Sequence, residues 1–222
     1  MRRICTFFIG LAAAAFVTAG LASLTVSAQA RTDASDFSIA QLAAIDQVST
    51  YLNAISTLSG DFTQTAPDGT VTEGQFFIER PGKLRFDYAA PSPLLVISDG
   101  RWVAVQDTRL RTTEKYPLGT TPLKMILSGD INLLRDTKIL AVYPETELVT
   151  VSIEERVGEA PGTLTLMFDP VENRLMRWTV TDVQGLDTTV SLDNAVAGTP
   201  IDPKKFRIIE HRILDVGGDN VR

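Results

Sequence analysis

The chain has 222 residues, of which 27 are acidic and 21 basic, and it carries one histidine and one cysteine. That balance disfavours nucleic acid or an anionic membrane surface as a main partner. So few imidazoles and thiols also disfavour metal sites of the zinc type, disulfides and cysteine nucleophiles.

Residues 1–30 read as an export signal. Arg2 and Arg3 form a short positive region, an apolar run extends from Ile4 to Val26, and Ala28-Gln29-Ala30 supplies the small-x-small pattern of a cleavage site. The run is near membrane-spanning length, so an uncleaved anchor is the competing reading. Thr18, Gly20, Ser23, Thr25 and the cleavage pattern favour removal. Cys5 lies inside this segment and follows Arg3-Ile4 instead of an apolar run, which does not fit a lipidation cysteine. Without Arg2 and Arg3, 19 basic residues face 27 acidic ones, a formal net charge of −8. Residues 31–222, about 190 residues, are enough for one domain with a real core. The expected product is an exported monomer held together by packing alone.

After a polar leader at 31–36, Ile39, Leu42, Ile45, Val48, Leu52, Ile55 and Leu58 recur at helical spacing. Ser35 or Asp36 is the expected cap and Gly60 the expected stop. From Asp61 the pattern becomes strands and tight turns. Pro67-Asp68-Gly69, Pro81-Gly82 and Asp99-Gly100 mark turns between alternating segments, among them Leu84, Phe86 and Tyr88 set against Lys83, Arg85 and Asp87. Residues 117–136 differ. Leu123, Met125, Ile126, Leu127, Ile131, Leu133 and Leu134 sit among Pro117, Gly119, Pro122 and Gly129, which predicts short helices in an apolar segment more like a lid than a linker. Strands then resume over 137–144, 149–154, 164–168, 175–182, 188–193 and 206–213. The pattern predicts an α+β fold: one long helix, then about ten or eleven strands in an antiparallel meander curved towards a barrel.

Catalytic patterns are thin. His211 lies near the C-terminus, where a solvated side chain explains it, and no Gly-x-Ser-x-Gly elbow accompanies it. Neither a phosphate loop nor a dinucleotide fingerprint is present. A carboxylate-pair enzyme stays open, since such pairs meet in space. An acidic, thiol-free β-fold with an apolar lid suggests a holder of something greasy. An ordinary barrel with a filled core is the equal rival on composition.

Several segments resemble the periplasmic outer-membrane lipoprotein carrier family, LolA. They are Phe62-Thr63-Gln64-Thr65, Glu73-Gly74-Gln75-Phe76, and the run from Arg80-Pro81-Gly82-Lys83 to Tyr88. Pro91, Val96-Ile97-Ser98-Asp99-Gly100, Thr121-Pro122-Leu123, Asp182-Val183-Gln184-Gly185 and Lys205-Phe206 extend the likeness in order along the chain. The resemblance implies an incomplete antiparallel β-barrel of about 11 strands with a helical lid over an apolar cavity. It implies a non-enzymatic periplasmic carrier that takes no cofactor. Such a carrier receives the acyl chains of lipoproteins from an inner-membrane ABC-type transporter and passes them to an outer-membrane acceptor lipoprotein. A carrier or sensor of the same fold for another lipid or glycolipid is the alternative. Regulators resembling this fold carry a second domain, for which the chain has no length.

The resemblance also assigns Arg80 as a latch bonding lid carbonyls. Taken by itself, Arg80 reads as a solvated strand-end arginine before a turn. Strand alternation proposes Phe76, Ile78, Leu84, Phe86, Tyr88, Leu95, Ile97 and Trp178 as cavity lining, with Leu123, Ile126 and Leu127 from the lid. Plain core packing competes for each. Lys124 and Asp130 depart from the family by placing charges in the lid, and the tail from Glu210 has no counterpart in it.

Overall fold

The computed structural model describes residues 36–156 and 162–209. The expected export signal with Cys5, and His211 with most of the tail, lie outside the described residues.

Helix α1 spans Ile39–Ala54. Its cap is Ser38, because a capping box forms there: Ser38 Oγ accepts from the Gln41 amide, and the Gln41 side chain accepts from the Ser38 amide. The expected caps, Ser35 and Asp36, stand too early. Ile39, 88% exposed, falls off the apolar stripe. Ala44, Ile45, Val48 and Leu52 form the buried face. The helix ends before Gly60. Leu58 already belongs to strand β1, Thr57–Thr65. Gly60 marks a close approach instead of a helix stop: a Cβ there would lie 2.6 Å from the Asp193 carbonyl oxygen, beside an irregularity in strand register.

The strands that follow are β2 (Val71–Glu79), β3 (Lys83–Tyr88), β4 (Leu94–Asp99), β5 (Trp102–Asp107) and β6 (Thr112–Pro117). A 3-10 turn at Leu118–Thr120 and helices α2 (Lys124–Leu127) and α3 (Leu133–Asp136) lead to β7, Thr137–Pro144. Then come β8 (Val149–Glu155), β9 (Thr163–Asp169), β10 (Arg174–Thr181) and β11 (Asp187–Ala197). The 11 strands of the described residues form one antiparallel sheet in the order β6-β5-β4-β3-β2-β1-β11-β10-β9-β8-β7. Two strands, β6 and β7, remain as edges, so the sheet is an incomplete barrel. The segment carrying α2 and α3 is the connection between those edges. Near one of them, Gln41 of α1 donates to the Val142 carbonyl of β7 at 3.2 Å. That contact occupies a backbone acceptor on an edge strand.

Cross-strand partners share a face of a sheet, and register therefore identifies the inner face. Phe76 pairs with Phe86, Ile78 with Leu84, Phe62 with Leu192, and Trp178 with Val190 and Leu166. These side chains and the buried face of α1 form one core. Its centre is aromatic. The Phe62 ring meets Phe86 at 4.7 Å and Tyr88 at 5.0 Å, both edge-on, and Phe86 meets Trp178 at 6.1 Å.

The expected last strand at 206–213 does not form in the described part. Pro203–Phe206 is a 3-10 turn packed near β3 and β4, and residues 207–209 pair with no strand. Phe206 is buried there. Arg85 donates to the Lys205 carbonyl at 2.9 Å, Gln106 donates to the Ile209 carbonyl at 2.7 Å, and the Lys205 ammonium lies 3.8 Å from the Phe77 ring centroid. This strap therefore lies on the outer face. Glu210 and beyond lie outside the described residues.

Candidate functional site: an apolar space beneath the lid

The turn joining β2 to β3 is the foundation of the site. Gly82 has φ 79°, and a Cβ there would stand 2.7 Å from the Gly100 Cα, so neither the conformation nor the space suits another residue. The buried Ser98 hydroxyl donates to the Gly82 carbonyl at 2.6 Å. The turn is thereby fixed to the next hairpin, and the Gly82 amide donates to the Leu127 carbonyl of α2 at 2.8 Å.

Arg80, two residues earlier, reaches the same end of α2. Its Nε donates to the Ser128 carbonyl at 2.9 Å and a terminal nitrogen donates to that same oxygen. Ser128 is the C-cap of α2, where helix carbonyls have no partner within the helix. The other terminal nitrogen donates to the Ile55 carbonyl just past α1, at 3.4 Å. Arg80 therefore spans the ends of two helices. Burial lowers its pKa from the ordinary arginine value, and the Asp130 carboxylate opposes that shift. Guanidinium keeps its proton in any case.

Asn53 completes the arrangement. Its Nδ2 donates to the Ile131 carbonyl at 2.7 Å, and its Oδ1 accepts from the Ile131 amide at 2.9 Å. Asn53 is an exposed residue near the end of α1, off its buried face. Only the spatial meeting of α1 with the lid distinguishes it from any other surface asparagine.

Beneath the lid lies a small space, part of it open to solvent. Tyr51, Leu52, Ile55, Leu58, Ile78, Arg80, Ile126, Leu127, Leu175, Trp178 and Leu192 line it. The sequence-derived candidates Arg80, Ile78, Trp178, Ile126 and Leu127 thus meet around one space. Phe76, Leu84, Phe86 and Leu123 are buried in the same core away from this lining, and Tyr88 packs against them. Two candidates must be moved. Leu95 pairs with Asp87 and Gln106, and Ile97 with Arg85 and Ala104, which puts both on the opposite face, under the C-terminal strap. The reason is local. Leu94-Leu95-Val96-Ile97 is apolar on both faces, so alternation cannot fix which face points inward. The inner residue beside Phe86 is Val96. The α1 contribution of Tyr51, Leu52 and Ile55 was also missed, since a helical stripe does not say which strands it will face.

One polar pair interrupts the inner face. The Tyr88 hydroxyl donates to Gln64 Oε1 at 2.7 Å, and Gln64 is 6% exposed. Burial pushes the Tyr88 hydroxyl well above its usual pKa, partly opposed by this bond, so it stays protonated. Burial likewise raises Tyr51. Among the described residues no group of three or more His, Cys, Asp or Glu comes together to hold a metal, and no helix is long and apolar enough to cross a membrane.

The profile of the family described as "Outer membrane lipoprotein carrier protein LolA" matches residues 53–209. The chain belongs to the LolA family. Two curated relatives, both described as outer-membrane lipoprotein carrier protein, match over most of their length. The protein from Chromobacterium violaceum is 26% identical over 189 residues, covering 80% of this chain and 88% of the relative. That from Alkalilimnicola ehrlichii is 32% identical over 167 residues, covering 70% and 75%. A solved LolA superfamily protein from Nitrosomonas europaea aligns with 77% of this chain and 99% of its own, at 8% identity and a TM-score of 0.42. The LolA match begins at Asn53 and includes β1 to β11, both lid helices and the strap.

Proposed function

We propose that this protein is a periplasmic carrier of lipoproteins, holding their acyl chains beneath the lid during transfer from the inner to the outer membrane. The observation that carries the reading is a polar-latched apolar lid: Leu123, Ile126 and Leu127 turn into the core while Arg80 holds the helix end above them. Membership of the LolA family and relatives named as lipoprotein carriers support it.

The physical need is large. Each methylene exposed to water costs about 0.8 kcal/mol, so a lipoprotein's acyl chains cost on the order of tens of kcal/mol. The empty protein meets the converse demand, to cover its own apolar interior. Leu123, Ile126 and Leu127 do this as stand-ins for cargo. Lifting them exposes roughly 1.5–3 kcal/mol of surface each, which incoming acyl chains offset by covering the same interior. Loading is then an exchange of like for like, and release at the acceptor is reversible.

On this reading residues 1–30 are the export signal and residues 31–222 the carrier domain. The source of cargo is an inner-membrane ABC-type releasing transporter, and the recipient an outer-membrane acceptor. The protein performs no covalent chemistry and needs no cofactor.

Depletion of the protein in cells that have no second carrier tests this. Outer-membrane lipoproteins should accumulate in the inner membrane. Normal sorting in such cells would sink the proposal.

A further inference from the structure

The charge at Lys124 has no part in the latch described above, yet its placement is specific. Lys124 Nζ forms an ion pair with Glu155 Oε1. The Glu155 side chain is only 8% exposed and that of Lys124 is 43% exposed. Glu155 is the last residue of β8. In the sheet, β8 is separated from β2 by β1, β11, β10 and β9. The single-turn helix α2 is therefore tied at both ends to distant parts of the wall. Its first residue reaches β8 through Lys124. Its last carbonyls receive the Gly82 amide and the Arg80 guanidinium beside β2 and β3.

The other half of the lid is held differently. Asn53 fixes Ile131 by two hydrogen bonds. Arg156, next to Glu155, donates to the Leu134 and Thr137 carbonyls at 3.0 Å each. The backbone of α3 packs against α1 and β7, whereas the main neighbour of α2 is the 3-10 turn before it. Leu133 is fully buried. Between the halves lie Gly129 and Asp130, both exposed.

The geometry points to a lid of unequal halves: α3 is the fixed half, α2 the moving bar, and Lys124–Glu155 a second, ionic tether on the wall opposite Arg80. The inference rests on the carrier reading, because only a lid that opens for cargo needs a tether that breaks. An ion pair suits that task. Withdrawing a carboxylate from water is costly and offsets much of the attraction to the lysine. When α2 swings away, the half-exposed Lys124 ammonium regains water, so the tether directs closure without locking it. Salt screens the pair as it separates and favours the open form.

Hydrogen exchange on the full mature protein reads the two halves separately, at about 50 mM and about 0.5 M salt. Exchange over 121–128 should rise with salt while that over 131–137 does not. Glu155→Gln should loosen 121–128 at low salt and abolish the salt response. Lys124→Met should do the same, and the double variant should loosen α2 no further than either single change, as expected for one shared interaction. Additive effects of the two substitutions, or an equal salt response in both halves, would overturn the second tether. Arg80→Leu, run alongside with an apolar fluorescent probe, separates the two ideas. If Arg80→Leu loosens α2 and alters probe uptake while Glu155→Gln does neither, the tether is wrong and the carrier reading stands. If no form of the protein takes up the probe, the carrier reading fails and the tether with it.

Discussion

Arg80 concentrates several demands in one side chain. A lysine could supply the charge, but not a planar fork that reaches Ser128, Ile55 and Asn53 together. Hydrogen bonds to a charged group are worth about 1.5–3 kcal/mol net. Arg80→Leu should cost the closed, empty form roughly that much, and it leaves an apolar residue lining the space. Loading should persist while transfer to an acceptor slows, because the variant penalises only the empty state that release must regenerate. Arg80→Lys should recover part of the transfer rate. Transfer assays with membrane-released lipoprotein give the answer, and unaltered release by Arg80→Leu would reduce Arg80 to a solvated strand-end residue. Single residues also show where alternation misleads. Leu84 and Phe86 face inward as their charged neighbours Lys83, Arg85 and Asp87 imply. Leu95 and Ile97 do not, because β4 offers apolar residues to both faces and a strap hides the outer one.

Short helices need help from their ends, since a single turn is not stable alone. In α3 the help is electrostatic. Asn132 Oδ1 accepts from the Arg135 amide, and the Asp136 carboxylate accepts from the Asn132 amide and from Arg135. The Arg135 bond, reinforced by the Asn132 amide, holds Asp136 below its ordinary pKa of 3.8, with burial opposing. A depressed folded value means that the unfolded chain binds the proton more readily. The contribution to stability is therefore complete above the ordinary value and is lost as pH falls through the lower folded value. Protection of 131–137 from hydrogen exchange should be flat from about pH 7 to 5, and Asp136→Asn should lower it throughout that range. A loss of protection already at mildly acidic pH would show that other groups control α3. In α1, by contrast, the decisive signals were local. Ser38 and Gln41 form a capping box three residues apart, a pattern present in the sequence although the earlier Ser35 and Asp36 compete with it.

The sheet leaves two edges, β6 and β7, and the chain passes from one to the other through the lid segment instead of closing a ladder between them. That choice makes the interior accessible. It also divides the interior, with a packed aromatic centre around Phe62, Phe86 and Trp178 and a small unfilled space under α2. Filling that space should compete with cargo. Ile126→Trp should weaken binding of an apolar fluorescent probe by about tenfold, equivalent to 1.4 kcal/mol. Its cost in stability should fall within the about 1–3 kcal/mol usual for overpacking, since the space is small beside the added ring. Fluorescence titration and chemical denaturation measure the two effects. Undiminished probe binding would place the cargo elsewhere in the fold.

The sequence by itself determined the alternation of strands and turns, the long N-terminal helix, the apolar segment between β6 and β7, and the motifs that lead to the LolA family. Each is written in neighbours only a few residues apart, where period, turn residues and caps act. The tertiary structure alone decided which face of β4 turns inward, that Asn53 grips Ile131 across 78 positions, that Lys124 finds Glu155, and that the last described residues form an outer strap. These depend on register and on the meeting of segments far apart in the chain. A one-residue slip in register exchanges the two faces of a strand, and where both faces are apolar, local pattern carries no information to prevent the error.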